Sequence, residues 1–159
     1  MVREPMGEMK YNVLCDIDHV ISDAAWRDGL LQSAEVDYDD YHYQSRYDKP
    51  HHEIVTLLRS LASTRLYYIV GLTARPEKWR KQTMDWMLKH EVPMDALLMR
   101  PDKSYDPSPK VKTDLVMDHY PNRFHRIAFV IDDRDDVVEA FRALNINTIQ
   151  YFMKRSDNV

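Results

Sequence analysis

Short apolar runs alternate along this chain with stretches whose apolar residues recur at helical intervals. Five runs, at residues 11–16, 66–72, 95–99, 127–131 and 147–152, have the length and polar flanks of buried strands. After Pro50 and Glu53, the residues Ile54, Leu57, Leu58 and Leu61 form the stripe of a helix. Trp79, Thr83, Trp86, Met87 and His90 keep to one side of a second helix, for which Pro76 suits the first turn. Val111, Leu115 and Val116 predict a helix over about 110–119, and Val137, Val138, Phe141 and Leu144 predict another. Residues 21–32, with Trp26, Leu30 and Leu31 among polar neighbours, suggest one more short helix. Strands alternating with helices imply an α/β fold with a parallel sheet and right-handed crossovers. Residues 1–9 are polar and patternless and read as a tail on one domain spanning residues 1–159.

Two of the strands end on acids. The run at 127–131 stops at Asp132 and Asp133, and the first strand ends on Asp16 and Asp18, which in extended chain point the same way. In open α/β sheets ligands bind outside the C-terminal tips of the strands. Adjacent carboxylates there repel one another unless a cation or a shared proton intervenes, and Mg²⁺ is the simplest such cation. Aspartates are also favoured at helix N-caps, but two acidic strand ends in one small chain favour a shared metal and phosphate site.

Composition narrows the choice. The 159 residues are 44% hydrophobic and 30% charged, as in an ordinary globular domain. No run is long and apolar enough for a membrane span, and the start carries no signal-peptide pattern, so a cytoplasmic protein with no membrane partner is expected. The single cysteine, Cys15, excludes an internal disulfide and a Cys-rich zinc site and reads as a small buried hydrophobe. His42, His51 and His52 suggest solvated side chains rather than a zinc cluster. A net charge of −4 argues against a generic nucleic-acid coat, and three glycines leave no Gly-rich phosphate loop.

Asp16-Ile17-Asp18, Thr73 after a strand, Lys112 entering a helix and Asp132-Asp133 after another strand resemble the four motifs of the haloacid-dehalogenase (HAD) phosphohydrolase superfamily. More narrowly, the chain is similar to the 3′-phosphatase domain of bacteriophage polynucleotide kinase. The similarity rests on Arg27 eleven residues after Asp16, on Thr73-Ala74-Arg75, on Val111-Lys112 and on Ile131-Asp132-Asp133-Arg134 followed by Val137-Val138-Glu139. The Gly-Thr pair that usually follows the second acid is His19-Val20 here. An acid common four residues before the lysine is Ser108, with Asp106 nearby as a substitute.

The resemblance implies a three-layer α/β/α Rossmann-like fold with sheet order 3-2-1-4-5 and a small cap or lid insert over about residues 22–49. It implies Asp16 as nucleophile and Asp18 as acid/base, with a pKa raised by neighbouring acids. Thr73 and Lys112 would contact the phosphoryl group, and Arg27 and Arg75 the substrate. Mg²⁺ would be held by Asp16, Asp132, Asp133 and the main-chain carbonyl of Asp18. The expected substrate is a nucleotide or nucleic-acid 3′ end, in the host cytoplasm if the chain is phage-encoded. A 5′-nucleotidase or other small-molecule phosphatase is the competing enzyme, and a non-catalytic module binding nucleic-acid ends the competing class. A short insert leaves an open site, which an oligomer of the chain could cover. The tyrosines of the insert, Tyr38, Tyr41, Tyr43 and Tyr47, have two readings: a packed connector, or a lid whose rings stack on a base.

Overall fold

The computed structural model describes residues 10–152; the expected tail at 1–9 lies outside them. The elements are, in order, β1 (Tyr11–Cys15), β2 (Ser22–Asp23), a 3₁₀ segment (Ala25–Gln32), α1 (Tyr38–Gln44), β3 (Lys49–Pro50), α2 (His52–Ser63), β4 (Tyr67–Pro76), α3 (Arg80–Lys89), β5 (Ala96–Arg100), α4 (Ser108–His119), β6 (Ile127–Asp132), α5 (Asp135–Ala143) and β7 (Thr148–Gln150). The five main strands form one parallel sheet in the order β5-β4-β1-β6-β7, the expected 3-2-1-4-5.

Strand alternation divides the core. Val13 and Cys15 of β1, Ile69 of β4 and Leu97 of β5 pack with Ile54, Val55 and Leu58 of α2 and Trp86 and Met87 of α3. Leu14, Val70 and Leu98, each one residue along, turn to the opposite face and meet Val111 and Leu115 of α4 and Val137 and Phe141 of α5. A central strand buried on both faces therefore reads as an unbroken apolar run. Gly71 sits between Cys15 and Leu97 in the sheet, and a Cβ there would lie 2.6 Å from Leu97 Cδ1. Close approach, not backbone freedom, requires a glycine at that position.

Several local expectations change. Residues 21–32 are not one α-helix: β2 pairs antiparallel with β3, and the 3₁₀ segment follows. Only Arg27 of that segment is buried, so it is anchored by an inward-facing charge rather than by an apolar stripe. Leu57 is exposed on α2, and Val55 takes its place against the sheet. Pro76 ends β4 instead of opening a helix, because the pairing with β5 continues, across a register shift, to Pro76 opposite Arg100. A 3₁₀ turn, Glu77–Trp79, then leads into α3. Cys15 is buried, as expected. His51 is not solvated: it is buried, and its Nδ1 lies 2.8 Å from the Val20 carbonyl. Among the described residues, no helix is long and apolar enough to cross a membrane.

Candidate active site

The C-terminal tips of β1, β4 and β6 lie side by side, and each delivers part of one site. The Asp16 amide donates to the Ile131 carbonyl at 2.9 Å, which locks the end of β1 against β6. Oxygens of Asp16, Asp132 and Asp133 lie within 4.8 Å of one another. Lys112, from the first half of α4, is buried between two of them, with Nζ 2.8 Å from Asp16 Oδ2 and 2.6 Å from Asp132 Oδ2. Asp132 Oδ1 accepts from the Arg134 amide at 3.1 Å, and α5 has no side-chain N-cap, so neither acid serves as the helix cap. Asp133 keeps a buried oxygen, Oδ1, with no hydrogen-bond partner.

The electrostatics of the cluster follow from burial and crowding. Burial pushes the Asp16 carboxyl well above its ordinary range; Asp132 and Asp133 push the same way and Lys112 opposes them. Asp133 is raised by burial and by Asp132. Burial alone would lower the Lys112 ammonium, but Asp16 and Asp132 outweigh it and hold the charge. Three acids with one lysine leave carboxylate repulsion that a hard divalent cation would relieve, and the orphaned Asp133 oxygen is a ready ligand. The residues therefore fit Mg²⁺.

Asp18 departs from expectation. Its carboxylate stands apart from the acidic cluster and faces two arginines. Arg75 Nε donates to Oδ2 at 3.0 Å and Arg75 Nη2 to Oδ1 at 2.6 Å, while Arg27 Nη2 donates to Oδ1. Burial would raise its pKa, but Arg75 and then Arg27 hold it well below the carboxylate range. The expected rise was wrong because the neighbours that decide it are cations. Asp16, Asp132 and Asp133 form the acidic cluster, and the Asp18 side chain stands outside it.

Behind Asp18 lies a residue that the sequence did not single out. Asp48, fully buried, accepts from Arg27 Nε at 2.9 Å, Arg27 Nη2 at 2.8 Å, Trp26 Nε1 at 2.9 Å and the Ser22 hydroxyl at 3.1 Å. Arg27 also stacks on the Tyr41 ring, 4.1 Å from its centroid. Arg27 thus stands behind Asp18 rather than on the wall of the cleft, whereas Arg75 lines it. Thr73 lies within β4, also on the cleft, and its hydroxyl accepts from the Arg75 amide at 3.2 Å, so it is no helix cap. His19 has φ 64°, the left-handed conformation for which the family's usual glycine is suited, and its ring meets Asp28 at 3.1 Å. Asp106 lies 3.4 Å from Lys110, not against Lys112, whose partners are Asp16 and Asp132.

These groups open into one cleft of about 1130 Å³. Its inner wall holds Asp16, Asp18, Thr73, Arg75, Lys112 and Asp133; its outer rim comes from α1 and from the loop between β5 and α4. His42 lines it too, and burial pushes its pKa down to about 4, so it is neutral at pH 7.

Comparison with known proteins agrees with this geometry. The family described as "Polynucleotide kinase PNKP phosphatase domain" matches residues 10–154. A chain from a structure of the Pnkp1/Rnl/Hen1 complex superposes with TM-score 0.74 at 24% identity, covering 92% of this chain and 47% of that one. A chain of the Pnkp1/Rnl/Hen1 RNA repair complex gives TM-score 0.73 at 24% identity, covering 90% and 42%. A predicted phosphatase from Clostridium acetobutylicum gives 0.66 at 17%, covering 89% and 84%. The present chain spans less than half the length of the first two. A search among curated proteins found no match.

Proposed function

Because the chain belongs to the phosphatase-domain family of polynucleotide kinases, within the HAD superfamily, we propose that it is a Mg²⁺-dependent phosphomonoesterase that removes a 3′-phosphate from a nucleotide or nucleic-acid end. The observation that carries this reading is the convergence of Asp16, Asp132 and Asp133 around Lys112 at the tips of the parallel strands. Those three carboxylates, with the Asp18 carbonyl, would hold Mg²⁺, which would screen an anionic nucleophile from an anionic phosphate.

Asp16 attacks phosphorus and forms an aspartyl-phosphate, the bond to the leaving oxygen breaking as the new one forms. Thr73 and Lys112 hold the phosphoryl oxygens, the first by its hydroxyl and the second by its charge. Arg75 contacts the substrate, and Arg27 positions Asp18. As a carboxylate, Asp18 is ready to take a proton from the water that hydrolyses the intermediate. Protonating the leaving oxygen in the first half requires Asp18 to carry a proton: the substrate draws Arg75 away, which relaxes the hold on its low pKa, and Asp18 takes a proton from solvent and passes it to the leaving oxygen. The weaker tie of Arg75 to Asp48 favours this: Asp48 Oδ2 lies 3.5 Å from Arg75 Nη2 but 2.8 Å from Arg27 Nη2, and Arg75 lines the cleft.

The test compares matched oligonucleotides phosphorylated only at the 3′ or only at the 5′ end, by kcat/KM, with Mg²⁺ and after metal stripping with EDTA. A 3′ preference that disappears without metal is expected. A clear 5′ preference points to a nucleotidase, and full turnover without metal refutes the mechanism.

A further inference from the structure

The outer rim of the cleft carries two tyrosines that do no structural work. Tyr105, in the loop between β5 and α4, is 94% exposed, and Tyr38, at the start of α1, is 63% exposed; both line the cleft. The contrast with Tyr41 is sharp: one turn along α1 it is only 7% exposed and packs on Arg27. Tyr43 in turn carries the Arg46 guanidinium, 3.6 Å from its ring centroid. The packed-connector reading of the insert therefore holds for Tyr41; Tyr43 and Tyr47 are exposed and do not line the cleft, while Tyr38 is left facing it.

The loop that displays Tyr105 is fastened. Arg100 Nη1 donates to the Ser104 carbonyl at 3.3 Å and to the Asp106 carbonyl at 2.6 Å, on either side of Tyr105. The Lys78 amide donates to Asp102 Oδ1 at 2.9 Å, and the Ser104 amide to the Pro101 carbonyl at 3.1 Å. Tyr38 belongs to the same end of the cleft, for Lys78, whose amide holds Asp102 of this loop, also reaches the residue next to Tyr38. Its neighbour Asp39 pairs with Lys78 at 2.5 Å, which ties the insert to the main domain beside the rim. An aromatic ring held out from a fastened loop, with a second ring at the same end, is a stacking platform rather than a packing residue.

Building on the function proposed above, we infer that Tyr38 and Tyr105 form an aromatic rim that takes the nucleobase of the terminal nucleotide while its phosphate sits at Asp16. Every base presents a π-face, so the rim discriminates a nucleotide from a base-free phosphate ester and is tolerant of base identity. The acids of the rim are largely balanced by cations: Asp39 pairs with Lys78 and Asp106 with Lys110, while Lys103 has no ion pair among the described residues and is available to one neighbouring phosphate.

The experiment measures kcat/KM for thymidine 3′-phosphate and for the base-free ester 2-deoxyribose 3-phosphate, in the unaltered protein, Tyr105→Ala, Tyr105→Phe, Tyr38→Ala and the double alanine variant. The ratio of the two values should fall about 5- to 150-fold in Tyr105→Ala or the double variant and return in Tyr105→Phe, as stacking energies of this type imply. Because Tyr105 is almost wholly exposed, its replacement does not endanger folding. A ratio unchanged in all the alanine variants overturns the rim, as does an equal loss on both esters. If the unaltered protein releases phosphate from neither ester, the 3′-phosphatase reading itself fails, and the rim falls with it.

Discussion

Lys112 neutralises two buried carboxylates before any substrate arrives, so it has a structural and a chemical part to play. Lys112→Met should lower kcat by about 10²–10³, the usual cost of losing an electrostatic group aimed at a transition state. It should also cost about 3–5 kcal/mol of stability, because Asp16 and Asp132 are left facing each other in the core. Lys110, exposed and paired with Asp114, is the control: Lys110→Met should leave rate and melting temperature unchanged. Steady-state kinetics and thermal melts on both variants check the pair, and reversed behaviour would mean that the catalytic cation has been misassigned. The acids at the strand tips were readable because each ends an apolar run. The pairing of Asp18 was not, since Arg75 lies 57 residues away and leaves no local pattern. The same limit hid Asp48, an unremarkable acid among several, and Tyr105, a loop aromatic whose exposure no periodicity announces.

The short insert between β1 and α2 is fixed to the sheet domain by charge as well as by apolar packing. Asp48 collects Arg27, Trp26 and Ser22, and Arg27 passes the connection on to Asp18. Asp48→Asn should therefore destabilise the fold by about 3–5 kcal/mol, the range for breaking a buried pair from one side. It should also alter the pH profile of kcat, since Arg27 then has one partner fewer and grips Asp18 differently. Urea denaturation and a pH–rate series measure the two effects; a variant as stable as the parent would show that Asp48 is dispensable. The main strands were legible because apolar runs and helical stripes are local signals, while their order was implied by the resemblance to a known family. The insert was not, because its 3₁₀ segment follows an inward-facing arginine, and its paired strands β2 and β3 are two residues each.

For the whole molecule, a cation held by the crowded acids at the C-terminal tips of β1 and β6 would couple metal binding to folding. Mg²⁺ added to the metal-free protein should stabilise it by RT ln(1 + [Mg²⁺]/Kd) and so raise its melting temperature as the concentration grows. Asp133→Asn should weaken that rise, because Asp133 offers the buried oxygen that has no other partner. A melting temperature indifferent to Mg²⁺ would exclude the acidic cluster as its site. The pairing of β2 with β3 has a different consequence, for the history of such a fold. The chain leaves and re-enters the sheet domain through one narrow neck, Ser22 opposite Pro50 and Asp23 opposite Lys49. Arg27 and Asp48 secure the base of the excursion, and its far end around residues 33–37 is mostly exposed. Lengthening a loop whose ends are already joined costs only about 0.6 kcal/mol per doubling. New sequence can therefore accumulate at that far end, from a few residues to a folded module, while the sheet and its acids stay as they are. The neck is a place where substrate range can evolve separately from the chemistry.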